Sequence, residues 1–197
     1  DRSVAPAALA VLAFPLSLVA EPRSAAPVVH HVASAVVIDA PPEAVWPHVV
    51  AFEPIPEPTD LLFRSGIAYP RSARLAGTGV GAIRYCEFNT GAFVEPITAW
   101  EPGRRLGFAV VEQPVPLREL TLHNDVSPPH LTGYLQTRRG EFRLVPLPDG
   151  RTRLEGSTWY ELDMAPAGYW RMFSDYIIHR IHLRVLSHIS AEVGRDR

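Results

Sequence analysis

Short alternations of apolar and polar positions run through most of this chain, and only two stretches carry a longer, helical period. β-Branched residues dominate 32–39 and Pro41-Pro42 ends the run, which predicts a first strand. Pro42 and Glu43 then open a helix, since the first helical turn leaves N–H groups unsatisfied and proline has none to lose. Ala44, Val45, Val49 and Phe52 give that helix an apolar stripe, and Pro54, Pro56 and Pro58 stop it. From 63 to 160 the pattern is that of strands and turns. Gly77-Thr78-Gly79-Val80-Gly81 reads as a tight turn and not a phosphate loop, because a strand follows it where a phosphate site needs a helix N-terminus. Strands over 81–88 and 92–100 flank Asn89-Thr90-Gly91 as a hairpin. A turn at 101–104 feeds a strand over 106–112, and strands over 139–147 and 152–162 make a last hairpin across Pro148-Asp149-Gly150. The second helical stretch is long, 169–193. Residues 113–137 carry four prolines and weak periodicity, a length at which a lid or binding loop and a plain ordered connection are equal alternatives.

A helical wheel sorts the late helix. Trp170, Phe173, Ile177, Ile181 and Val185 define one face, with Arg184 and His188 inside it. Arg184 there either binds an acidic head group or snorkels to solvent at the open end of the helix. His179 and His182 fall largely off that face, and Asp175 one turn before His179 explains it as a surface pair more simply than as a metal ligand. In the hairpin over 81–100, pairing Glu87 with Phe93 sets Tyr85 opposite Glu95 and Ile83 opposite Ile97. Tyr85, Glu87 and Glu95 then share a face, and a slip of one residue reverses the relation. Carboxylates on a cavity face have raised pKa values and suit proton transfer; on the outer face they pair with sheet arginines.

Composition narrows the class. The 197 residues suit one domain of about 150 residues plus an extension. We divide them into an apolar extension and linker over 1–30 and a domain over 31–197. With 47% apolar and 20% charged residues the chain can build a core, and a net charge of -2 gives no basic field for nucleic acid. All 19 basic residues are arginine. The lone Cys86 excludes an internal disulfide and reads as a small strand packer. Residues 4–20 are uncharged, but Pro6 and Pro15 interrupt a run already short of the roughly 20 residues a spanning helix needs. A segment packed on the domain, the tail of a membrane-anchored parent and a signal remnant all fit.

The segments IDAPPEAVWPHV (38–49), GTGVGAIRYCEF (77–88) and EPITAWEPGRRLGF (95–108), with the last hairpin and the late helix, resemble the helix-grip (SRPBCC) superfamily. That superfamily includes START lipid-transfer domains, polyketide cyclases and aromatases, and birch-pollen-allergen proteins. The resemblance spans 32–193 and implies an α+β fold, a curved antiparallel sheet around a long C-terminal helix with a short early helix. It implies a cavity for a hydrophobic small molecule or lipid, with no cofactor and no metal. Wall residues expected on that basis are Trp170, Phe173, Ile177, Ile181, Trp159 and His130, with Arg184 and His188 as polar contacts. The alternative is a cyclase-like enzyme using Glu95 or Glu87 with Tyr85 and Arg184 for proton transfer. Fold alone does not choose between them. A weaker similarity is to soluble domains that follow membrane segments in bacterial proteins, which favours a membrane-associated location over a free cytoplasmic one.

Overall fold

The computed structural model describes residues 28–117 and 133–196. The expectations placed on 1–27 and on His130 lie outside the described residues. In chain order the elements are β1 (Val29–Ile38), α1 (Pro42–Val50), α2 (Leu61–Arg64), β2 (Pro70–Ala76), β3 (Ile83–Phe88), β4 (Gly91–Glu101), β5 (Arg105–Ala109), β6 (Leu135–Pro146), β7 (Thr152–Leu162) and α3 (Ala167–Arg195). The strands form one seven-stranded sheet in the order β1-β7-β6-β5-β4-β3-β2, every neighbouring pair antiparallel.

Local chemistry explains most boundaries. Pro42 and Glu43 do open α1, and Val45 and Val49 are its buried positions. Ala44 is exposed, and Phe52 reaches the core from beyond the helix end, its backbone bridged to Ala73. α2, which the strand-like text over 63–160 did not predict, is one turn capped by the Asp60 carboxylate accepting from the Leu62 N–H at 2.9 Å. The glycine-rich turn joins β2 to β3 with Gly77, Gly79 and Gly81 all at positive φ (93°, 81° and 89°), a conformation that costs other residues far more. β1 begins at Val29, three residues before the predicted strand.

The hairpin β3–β4 differs from the expected register by one residue. Arg84 faces Glu95, Tyr85 faces Val94 and Glu87 faces Ala92, across a turn in which Phe88 pairs with Gly91. Only Asn89 and Thr90 remain in the loop, so Glu95 moves to the face of Arg84, Cys86 and Phe88 and leaves that of Tyr85 and Glu87. Strand alternation makes any odd shift exchange faces in this way.

α3 crosses the sheet and packs on β1, β7 and α1. Its C-terminal half joins the main core, where Leu186, Ile189 and Val193 meet Val45, Val49, Leu106 and Leu154. Its N-terminal half stands over the sheet with less beneath it. Ile189 is fully buried, so Ile189→Ala should lower stability by about 2–5 kcal/mol, the range for large-to-small core truncations. Urea unfolding at constant m-value measures this.

Candidate functional site

Between α3 and the concave face of the sheet lies a cavity of about 580 Å³. Its roof is the N-terminal half of α3, where Trp170, Phe173, Ile177, Ile181 and Val185 all line it, the face the wheel had grouped. Its floor is sheet, with Phe108 and Phe142 from β5 and β6. One wall is the segment 113–117, at the start of the proline-rich stretch. The Gln113 side chain donates to the Leu135 carbonyl at 2.6 Å and accepts from the Thr137 N–H at 2.8 Å. Thr90 donates to the Val115 carbonyl at 2.9 Å, and the Pro116 carbonyl accepts from the Ala68 N–H at 3.0 Å. These bonds strap the segment to both ends of the cavity wall.

The cavity is mostly apolar, with an ion pair set into it. Arg84 and Glu95 are 1% and 5% exposed, and the Arg84 guanidinium donates to the Glu95 carboxylate. The Arg84 Nε also donates to the Val50 carbonyl at 3.2 Å. The rings of Phe52, Phe108 and Phe142 surround the guanidinium with centroids 5.3–5.7 Å from its carbon, a cation–π setting that substitutes for part of the lost hydration. Burial pushes the Glu95 carboxyl upward against the opposing pull of Arg84. Beside them, burial with the Glu95 charge raises the Cys86 thiol to about 12, which removes it as a nucleophile at neutral pH.

The second polar group in the cavity is His182. Its Nε2 lies 2.7 Å from Thr158 Oγ1 and its Nδ1 3.1 Å from Ser34 Oγ. Burial, and then the neighbouring His179 and His31, hold it down at about 4, so it is neutral at pH 7. The wheel had set His179 and His182 away from the apolar face. Instead the helix turns them onto β1 and β7, where small polar residues leave room and supply partners. Asp175, expected as the partner of His179, is taken by the Tyr160 hydroxyl at 2.6 Å and by Arg171.

Other expected residues lie elsewhere. Tyr85 and Glu87 are on the outer face, where Arg74 stacks on the Tyr85 ring at 3.9 Å and pairs with Glu87 at 3.6 Å. Trp159 also points outward, stacked on His31 at 4.5 Å with the Arg139 guanidinium 3.7 Å above its ring, because its neighbour Thr158 takes the inward position. Arg184 is held beyond the cavity by the carbonyls of Pro70 (3.1 Å) and Pro56 (2.6 Å). His188 is buried against the Phe52 ring and reaches the Glu53 carbonyl at 3.0 Å. Neither lines the cavity, which continues along α3 to Val185 and Leu186; both turn instead toward the segment 53–57. Arg84 is one of the sheet arginines expected to pair with a hairpin carboxylate on the outer face; it does pair with Glu95, but on the inner face. Its alternation with Cys86 and Phe88 against Tyr85 and Glu87 was the available signal, and it needed the register to be read.

Residues 29–168 match the family model described as polyketide cyclase / dehydrase and lipid transport. Solved structures share the fold. The Zhui aromatase/cyclase from Streptomyces sp. R1128 is 14% identical with a TM-score of 0.54, over 85% of this chain and 95% of that one. Norcoclaurine synthase from Thalictrum flavum, in complex with dopamine and hydroxybenzaldehyde, is 13% identical with a TM-score of 0.55, over 90% and 95%. A protein from Nitrosospira multiformis is 24% identical with a TM-score of 0.50, over 85% and 100%. No curated protein matches the chain. The architecture is therefore helix-grip, as the sequence resemblance implied.

Two outcomes follow from the polar groups. Glu95→Gln strands a buried guanidinium and should cost about 3–5 kcal/mol, whereas the double change Arg84→Met with Glu95→Leu should recover most of it in denaturant unfolding. For His182, the folded protein refuses a proton that the unfolded chain accepts between its ordinary value of 6.5 and about 4. Its contribution is complete above the upper value and disappears as pH falls to the lower, a loss on the order of 3 kcal/mol. The stability gap between wild type and His182→Asn should shrink by that amount from neutral pH to about pH 4.

Proposed function

Because the chain belongs to the polyketide cyclase / dehydrase and lipid transport family, we propose that it binds a hydrophobic small molecule with one polar end in the cavity under α3. The observation that carries this is an apolar space of about 580 Å³ with one buried ion pair in its wall. Ligand sites of this size are typically apolar, with a few polar groups that fix orientation. A lipid chain or polycyclic skeleton would lie along Trp170, Ile177 and Ile181. Its oxygen functions would turn toward Arg84 and Glu95.

A second reading, a cyclase-like enzyme, is favoured by one feature: Glu95, Arg84 and neutral His182 all line the same cavity. A raised carboxyl and a neutral imidazole are the groups proton transfer around a carbonyl needs. The version that used Glu87 and Tyr85 has no such support, since both lie on the outer face. The Zhui aromatase/cyclase has this fold, and so does norcoclaurine synthase, which supports either reading.

We also assign 31–197 to one ligand-binding domain, with 1–30 as its extension. No helix among the described residues is long and apolar enough to cross a membrane. Membrane association of this chain through 1–30, or through a region upstream of it, remains part of the proposal.

Native mass spectrometry of the purified protein, followed by organic extraction, tests for a bound hydrophobic molecule. After delipidation, an accepted ligand should raise the melting temperature by mass action. Ile181→Trp fills the roof and should weaken binding of a hydrophobic fluorescent probe at least tenfold, the effect of about 1.4 kcal/mol. Equal binding by this variant and the wild type would exclude the cavity as the site.

A further inference from the structure

β1 and β7 lie side by side with Val32 opposite Thr158 and Ser34 opposite Gly156. Alternation turns Val32 and Ser34 inward, while His31 and Ala33 are exposed. Beside Ser34, α3 places two imidazoles. Ser34 Oγ lies 2.7 Å from His179 Nδ1 and 3.1 Å from His182 Nδ1. The far nitrogen of His182 continues the chain of bonds to Thr158 Oγ1 at 2.7 Å. His182 and Thr158 line the cavity, and His179, at the other end, is partly exposed.

A serine hydroxyl has one proton, so between two imidazole nitrogens it donates to one and accepts from the other. The tautomers of His179 and His182 are thereby tied together. In one arrangement Thr158 donates to His182 Nε2, His182 Nδ1–H donates to Ser34, and Ser34 donates to His179 Nδ1. In the other, every one of these bonds runs in reverse. Both satisfy every atom of the chain, and they differ by the position of one proton at each link.

We propose that His179, Ser34, His182 and Thr158 form a proton relay between solvent and the cavity, serving a ligand whose oxygen becomes basic, such as an enolate or alkoxide. For what receives the proton, this rests on the ligand-binding reading above. The transfer balances without any redox partner. Water delivers a proton to His179 Nε2, and the Nδ1 proton of His179 passes to Ser34. The Ser34 proton passes to His182 Nδ1, the Nε2 proton of His182 to Thr158, and the Thr158 proton to the ligand oxygen. One proton enters and one leaves, and no charge stays in the apolar interior. The neutrality of His182 suits this, since a fixed imidazolium there would block the reverse step.

The charged and titratable groups around the relay have partners of their own. His31 on β1 stacks on Trp159, and His30 lies against the Tyr160 ring. Asp175, on the helix itself, is held by Tyr160 and Arg171, and Arg180 is paired with Asp60. From the cavity side, Arg84 is paired with Glu95. His179 is the member of the chain that is open to solvent on one side and bonded to Ser34 on the other.

Nitrogen-15 NMR of histidine-labelled, ligand-free protein tests the relay whatever the cavity binds. Protonating His179 fills both its nitrogens, forces Ser34 to donate toward His182, and so drives neutral His182 to its Nε2–H form. We expect the His182 nitrogen shifts to report that switch as His179 titrates, and the switch to vanish in Ser34→Ala. Exchange of the Thr158 hydroxyl proton with water should also slow several-fold in that variant. A wild-type His182 still in its Nδ1–H form once His179 is fully protonated overturns the relay, without need of any variant. So does a switch that persists in Ser34→Ala, or hydroxyl exchange that is unchanged. A failed relay with a ligand bound in the cavity leaves the binding reading intact. An empty cavity with a working switch removes the binding reading instead.

Discussion

A guanidinium without water around it must be matched by an anion and by hydrogen-bond acceptors, because an unpaired buried charge costs several kcal/mol. Arg84 meets this demand through Glu95, directly opposite it on the next strand, and through the Val50 carbonyl at the end of α1. The pair therefore ties three elements together. It favours one register of β3–β4 over its neighbours, since a slip of one residue would set Arg84 against an apolar partner. It also anchors α1 to the inner face of the sheet. The aromatic rings of Phe52, Phe108 and Phe142 then close around the cation, and those of Phe108 and Phe142 shape the cavity floor.

The cavity follows from how one long helix lies on a curved sheet. The C-terminal half of α3 sinks into a close-packed core with α1 behind it. Among the described residues the N-terminal half has no second helix to fill the concavity, and its large apolar side chains line the cavity. The strap over 113–117 limits that space on one side through backbone and Gln113 bonds, which hold it without any apolar plug. What results is a hydrophobic chamber whose polar groups are few, fixed and unlike in character. One is a compensated ion pair and another a neutral imidazole. The lone thiol beside them is suppressed by the same burial.

These groups divide the labour that either functional reading needs. Under the proposed binding reading, Arg84 and Glu95, which are rigidly held, would orient a polar ligand end. Under the proposed relay, movement of a proton would fall to His182, whose two ring nitrogens are bonded to hydroxyls that can reverse direction. A chain of neutral donors and acceptors can pass a proton with no net charge left behind.

Several features were determined by the sequence alone. Pro42 after a β-branched run set the start of α1, the glycines at 77, 79 and 81 set a turn, and the apolar period of Trp170, Phe173, Ile177, Ile181 and Val185 named the roof of the cavity. These are local signals, carried by backbone conformation and by the 3.6-residue repeat, and they survive into the structure because nothing distant opposes them. The placement of polar side chains was not legible in the same way. Glu95 changed faces because the hairpin closed on a two-residue loop, and a period of two makes every such shift an inversion. His182 and His179 turned inward because Ser34, more than a hundred residues away on β1, and Thr158, on the neighbouring strand β7, supplied them with hydroxyl partners. Arg184 and His188 left the cavity because backbone carbonyls from 53–70 were there to receive them. A charged or polar side chain goes where its partners are, and those partners are set by strand pairing and helix docking. Only the tertiary structure decides them.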